Sequence, residues 1–260
     1  MKKKTTTVYY KDELHDDFAN NGIETKKLNE NYQYIMKNPF NRFFSNLVRI
    51  LLLPIVKLLV LILYHPKYVN KKQVISKVKK GPYFIYSNHV LPLDPLIPPS
   101  INSSKLCLIA ASADTFSMNK VLSWLVRALG AFPVPNSPKM YYNYVDFIHY
   151  EVERKHRVLM YPEAHIWPYC NFIRHFTSTS FKYPVYDNVP IITMTTCFTK
   201  KKYGKKPKLT IYFDGPFYPD QNMKQVDAIE NLKDQAFNAM QNRAKKYSTY
   251  EYIKYEKSQL

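Results

Sequence analysis

The stretch YFIYSNHVLPLDP, residues 83–95, decides how the chain is read. Tyr83-Phe84-Ile85-Tyr86 is an apolar run of strand length. It ends in Ser87-Asn88-His89, and Asp94 follows across a turn that contains Pro92. Polar side chains just past the carboxyl end of a strand are where open α/β sheets place their sites. Outward from this point, short apolar runs alternate with amphipathic stretches. Residues 106–111, 131–134, 158–161, 189–198 and 209–213 read as strands. Residues 118–129 read as a helix, with Ser117 as N-cap and Gly130 at its C-terminal end. Ser137-Pro138 opens a second helix, whose Tyr141, Val145, Ile148 and Val152 recur at helical spacing. Val226, Ile229, Ala236 and Met240 mark a final helix, and the lysine-rich turn 200–206 joins two strands as a hairpin. The pattern predicts an α/β domain over residues 81–260, a mostly parallel sheet flanked by helices. Residues 1–80 form an N-terminal extension with a membrane-associating helical segment.

That segment is FFSNLVRILLLPIVKLLVLILY, residues 43–64. Its length suits a membrane span. Arg49 and Lys57 argue against spanning, since each costs roughly 2.5–3.5 kcal/mol near a helix centre. Pro54 interrupts the run, and basic residues flank both ends, placing both on the cytoplasmic side. At about 100° per residue, Asn46, Arg49, Lys57 and Tyr64 fall within an arc of about 80°. This arrangement predicts a helix lying in the interface, or a bent re-entrant one, hence a monotopic protein on the cytoplasmic face of the cell membrane. A buried core helix is the alternative.

Composition narrows the function classes. Five well-separated glycines leave no room for a glycine-rich nucleotide loop. A formal charge of +18 calls for an anionic partner such as an anionic lipid surface, an acidic carrier protein or nucleic acid. No nucleic-acid recognition motif is present, and the apolar segment has no role in such a binder. Cys107, Cys170 and Cys197 are too few and too scattered for a disulfide framework, so they read as reduced cytosolic thiols. No secretory signal is apparent at the start of the chain.

His89 and Asp94 carry the chemistry. Imidazole accepts a proton from a hydroxyl near neutral pH, and a carboxylate that fixes its tautomer makes it a better base. Asp94 before Pro95 also reads as a helix N-cap, and His89 as a structural histidine. A second cluster, Tyr161-Pro162-Glu163-Ala164-His165, follows another strand, with Arg174 and His175 close behind. His89, Asp94, Glu163 and His165 also offer an N/O donor set to a metal, without any rigid ligand pair of the H-E-x-x-H kind. Cys170, near two histidines, reads as a nucleophile candidate or as a small buried residue. A non-enzymatic basic membrane-binding protein is the remaining alternative.

At these residues the chain resembles the glycerolipid acyltransferases, in particular the 1-acylglycerol-3-phosphate O-acyltransferases. Asn88-His89 with Asp94 is similar to the family's N-H-x4-D motif. Gly130-Ala131-Phe132-Pro133-Val134 is similar to its second block, Tyr161-Pro162-Glu163 to its F-P-E-G-T-R motif, and Val189-Pro190-Ile191-Ile192 to its V-P-I-hydrophobic motif. The four occur in the family's order. The resemblance implies that His89 is the general base and Asp94 its orienting partner. It implies a fatty acyl group moved from acyl-CoA or acyl carrier protein to the hydroxyl of a lysophospholipid, with no metal and no bound cofactor. Asn88, Gly130, Pro162, Glu163, His165, Arg174 and Pro190 are the residues expected to serve substrate binding. The family's Gly-Thr-Arg is replaced here by Ala164-His165-Ile166, so the arginine expected to hold the acceptor phosphate is missing. Arg174 stands as its substitute, and Glu163 and Arg174 are expected to act mainly on the acceptor. Another lysolipid acceptor is the second reading.

Overall fold

A computed structural model describes residues 6–18, 28–101, 106–117, 119–204 and 206–258. Among the described residues the first elements are β1 (Thr6–Tyr10) and a long helix, α1 (Pro39–Tyr64), followed by β2 (Lys67–Val69) and α2 (Lys71–Val78). Then come β3 (Tyr83–Ser87), α3 (Ile97–Ile101), β4 (Cys107–Ala111), α4 (Lys120–Ala128) and β5 (Ala131–Pro133). The second half runs α5 (Pro138–Glu153), β6 (Arg157–Met160), α6 (Lys182–Tyr186), β7 (Ile191–Thr199), β8 (Lys208–Phe217), α7 (Gln225–Tyr247) and β9 (Ile253–Lys257).

Seven strands form one sheet in the order β2-β8-β7-β3-β6-β4-β5. β7, β3, β6, β4 and β5 run parallel, and β8 returns antiparallel to β7 through the lysine-rich hairpin. β3 is central and buried along its whole length. Its side chains alternate between two cores, as strand geometry requires. Phe84 and Tyr86 join Phe147, Ile148, Leu232 and Met240 from α5 and α7. Tyr83 and Ile85 join Val60, Val74 and Val78 from α1 and α2. Helices thus cover both faces.

The helices start where side chains can satisfy free amides. Asn38 Oδ1 accepts from Phe40 N at 2.9 Å, and Ser137 Oγ accepts from Met140 N at 3.3 Å. Asn119, not Ser117, caps α4, since its side chain reaches Leu122 N at 2.9 Å. Met118, placed in that helix by the sequence, lies outside the described residues.

The boundary expected at residue 80 does not divide the structure. β2 is a strand of the main sheet, pairing Lys67–Val69 with β8. β1 forms a parallel pair with β9, a small second sheet the sequence does not announce. The Trp167 ring lies against Tyr10, Phe18 and Tyr255, so both chain ends close over the loop after β6.

α1 is continuous through Pro54 and begins four residues earlier than its apolar run. It is no core helix, since only 17% of its most apolar window is buried. Its larger apolar face is turned away from the domain. Ser45, Leu53, Val56 and Val60 face the domain, together with the half-buried Arg49. Phe40, Phe43, Leu47, Ile50, Leu51, Ile55, Leu58 and Ile62 point outward. Burying such a side chain gains roughly 1.5–3 kcal/mol, so this face fits a membrane-associating surface.

Gly130 opens β5 at φ +107°, and a Cβ there would lie 2.3 Å from the carbonyl oxygen of Cys107. Only glycine lets β5 approach β4 this closely. Gly130→Ala is expected to lower stability by at least about 2 kcal/mol through backbone strain and overpacking, read from the denaturant midpoint. An unchanged midpoint would contradict this account of the turn.

Candidate active site

The site grows from the carboxyl end of β3. Ser87 Oγ donates to Met194 O at 2.9 Å. Asn88 is buried and pairs twice with one residue of β7, its Nδ2 donating to Thr196 O at 3.0 Å and its Oδ1 accepting from Thr196 N at 2.8 Å. These contacts fix the strand end from which His89 projects.

Asp94 folds back on His89. Its carboxylate oxygens lie 2.9 and 3.1 Å from His89 Nδ1. Oδ2 also accepts from Val90 N at 3.0 Å and Leu91 N at 3.1 Å. The buried carboxylate therefore shapes the loop as well as holding the ring, and it does not cap a following helix. With Nδ1 as donor to Asp94, Nε2 carries the free lone pair. Among the described residues no hydrogen bond engages Nε2. The Tyr161 ring stacks on the imidazole at 4.0 Å between centroids. Burial, and then the charge of Asp94, push the Tyr161 hydroxyl well above its ordinary value, so it stays protonated.

The loop after β6 supports this arrangement from behind. Glu163 Oε2 accepts from His89 N at 3.1 Å, and Oε1 accepts from Arg174 N at 2.9 Å. Arg174 Nη2 reaches Oε2 at 3.3 Å, and both side chains are almost fully enclosed. Burial pushes the Glu163 carboxyl up, while Arg174 opposes that shift. Trp167 N donates to His89 O at 3.1 Å and Tyr169 N to Val90 O at 2.8 Å. The Arg174 guanidinium also stacks over Trp167 at 4.7 Å.

The expected binding residues therefore separate. Asn88, Glu163 and Arg174 gather behind His89 as supports. Arg174 has no accessible surface and is taken up by Glu163 and by the carbonyls of His165 and Glu13, so it does not present itself to an acceptor phosphate. Pro162 adjoins the site through Tyr161 and Glu163. His165 Nδ1 is turned to Asp17, 3.5 Å away. Gly130 and Pro190 stand at the amino ends of β5 and β7, at the other end of the sheet from His89. The donor set considered for a metal is dispersed, since Glu163 serves Arg174 and His89 N while His165 serves Asp17. Cys170 is buried, and burial pushes its thiol up, which makes it a poor nucleophile.

Two participants escaped the sequence. Tyr161 was visible only as the first letter of its motif, and stacking requires the fold. Tyr64, the last residue of α1, accepts from Leu93 N at 3.2 Å and so ties the helix to the His89–Asp94 loop.

The model of the Acyltransferase family matches residues 65–196, half of the chain, and spans every residue of the His89 loop and its supports. The chain belongs to the acyltransferase family. No curated protein matches it. Among solved structures it is similar to the 1-acyl-sn-glycerophosphate (LPA) acyltransferase PlsC from Thermotoga maritima, with a TM-score of 0.56 and 11% identity over 80% of this chain and 89% of that one. At that identity the likeness is one of fold. The matched family segment begins at His65, at the end of α1, which agrees with a sheet that starts at β2 rather than at residue 81.

Glu163→Gln in this acyltransferase leaves the enclosed Arg174 without its counter-charge. It is expected to cost about 3 kcal/mol of stability and to lower kcat while acceptor KM changes little. Unfolding curves and steady-state kinetics check this. A stable variant with only a raised acceptor KM would return Glu163 to the acceptor.

Proposed function

We propose that the chain transfers a fatty acyl group from a thioester donor, acyl-CoA or acyl carrier protein, to the free hydroxyl of a lysophospholipid, with 1-acylglycerol-3-phosphate as the first candidate acceptor. The observation that carries this reading is the His89–Asp94 pair, with Nδ1 on the carboxylate and Nε2 free. Family membership supplies the reaction class, and the fold likeness to PlsC supports the acceptor class.

In this mechanism His89 Nε2 takes the proton of the acceptor hydroxyl as its oxygen attacks the thioester carbonyl. The tetrahedral intermediate collapses, the carbon–sulfur bond breaks, and the thiolate leaves with the proton that His89 returns. Asp94 holds the tautomer and stabilises the imidazolium between the two transfers. General-base action of this kind supplies about 10²–10⁴-fold, and holding hydroxyl and thioester together supplies much of the rest. No protein nucleophile, metal or bound cofactor enters these steps. The outward apolar face of α1 would bring the site to its lipid acceptor, with the helix lying in the cytoplasmic interface. The net charge of +18 suits anionic donors and an anionic surface.

Thiol release from acyl-CoA and from acyl carrier protein, measured against a panel of lysolipids, tests the reading. Release is expected to depend on acceptor, to fall at least about 10²-fold in His89→Ala, and to fall heavily in Asp94→Asn with folding intact. Near-normal turnover of folded His89→Ala would remove the mechanism. Flotation with vesicles provides a separate check on α1. The exposed pair Leu58→Glu and Ile62→Glu is expected to release the protein from membranes, and unchanged flotation would remove the interfacial helix.

A further inference from the structure

A cavity of about 440 Å³ lies beneath the amino-terminal half of α1, at the opposite end of the sheet from His89. Its floor is the amino ends of β4 and β5, and its wall is the polar side of the helix. Arg42, Ser45, Asn46 and Arg49 recur at i, i+3, i+4 and i+7, so one helical face aims four polar groups into the same space. Arg127 from α4 and Arg154 from the end of α5 line it as well.

The charges are unbalanced. The cavity holds four guanidinium groups and one carboxylate, Glu151, which is engaged by His156 Nδ1. Arg154 Nε stands 4.0 Å from that carboxylate. Arg42 donates to Met36 O at 3.2 Å and Arg127 to Tyr34 O at 3.3 Å, contacts with neutral carbonyls that leave their charges uncompensated. Among the described residues, none of Arg42, Arg49 and Arg127 has a carboxylate within 4.0 Å. Arg49 Nε is buried and makes no hydrogen bond. Burial pulls the Arg49 guanidinium below its ordinary value, a penalty that a bound anion would offset.

We infer that this cavity is a binding site for a phosphate group, separate from the His89–Asp94 pair, with Arg49 as its central ligand. Guanidinium forks match phosphate oxygens in pairs, and several converging arginines with a buried unused donor are what such a group requires. The volume exceeds that of phosphate alone and falls within the range of small-ligand sites, so it admits a glycerophosphate-sized head. The exposed Phe40, Phe43 and Leu47 on the other side of the same helix offer an apolar path for attached acyl chains. The phosphate is therefore that of a lipid head group or of a water-soluble phosphate ester. The inference does not depend on which acceptor the enzyme uses.

Calorimetric titration of the full chain in non-ionic detergent tests it, with inorganic phosphate, glycerol 3-phosphate and dihexanoyl phosphatidate as probes. Wild type and His89→Ala are expected to bind at least one probe alike. Arg49→Gln should weaken binding by about tenfold or more, and Arg49→Lys by less. Phosphatidate binding much tighter than glycerol 3-phosphate would identify a lipid head group, and equal binding a soluble ester. If Arg49→Gln does not fold, the exposed Arg154→Gln replaces it and must also weaken binding. Failure of every probe to bind wild type, or wild-type affinity in the folded arginine variant, would overturn the inference. Loss of activity in His89→Ala with this binding intact keeps the outcome separate from the fate of the acyl-transfer mechanism.

Discussion

The buried carboxylate of Glu163 joins the two loops on which the site is built. It accepts from the backbone of His89 on one side and from the backbone and guanidinium of Arg174 on the other. A carboxylate enclosed this deeply is costly unless every oxygen is paired, and here both are. The pairing sets the position of His89 before Asp94 acts on its ring. Asn88, tied to Thr196, fixes the same loop from the β7 side. His89 is therefore held at three places: by its backbone amide, by its ring nitrogen, and through the residue before it. The general-base role proposed for His89 would depend on that order, since a proton acceptor displaced by an ångström loses much of its advantage.

α1 relates the site to its surroundings. Its carboxyl end reaches the His89–Asp94 loop through Tyr64, and its amino half roofs the arginine-lined cavity. The outward face is apolar for most of its length. A helix that packs Leu53, Val56 and Val60 on the domain and turns a longer apolar face away from it suits a domain resting on lipid. Of the two cations that make spanning expensive, Arg49 faces the cavity and Lys57 is exposed.

The sequence revealed what local chemistry determines. The strand read at 83–86, which runs one residue further to Ser87, the turn carrying Asp94, the cap at Ser137 and the hairpin after β7 are all encoded within a few residues, and each stands where the sequence places it. The spacing allowed Asp94 either to meet His89 or to cap a helix, and the resemblance to the acyltransferases implied the first. Long-range partnerships were not legible. Glu163 meets His89 across 74 residues, and nothing in Tyr161-Pro162-Glu163 says that the carboxylate faces inward to a backbone amide. Arg174 looked available for a phosphate because charge is visible in a sequence and burial is not. β1 and β9 are half-exposed edge strands from the two ends of the chain, so neither carries a periodic signal. Which side of α1 meets the domain was not legible either, since that depends on the surface it packs against.

The central claim is direct transfer, in which His89 activates the acceptor and no acyl group rests on the protein. Rapid-quench measurement of thiol release from acyl-CoA without acceptor tests it most directly, with intact-mass analysis of the protein at each time. The account predicts no burst, an unmodified protein mass, and release that begins only when a lysolipid is added. A stoichiometric burst accompanied by an acylated protein would contradict it and make a side chain of this enzyme the first acceptor.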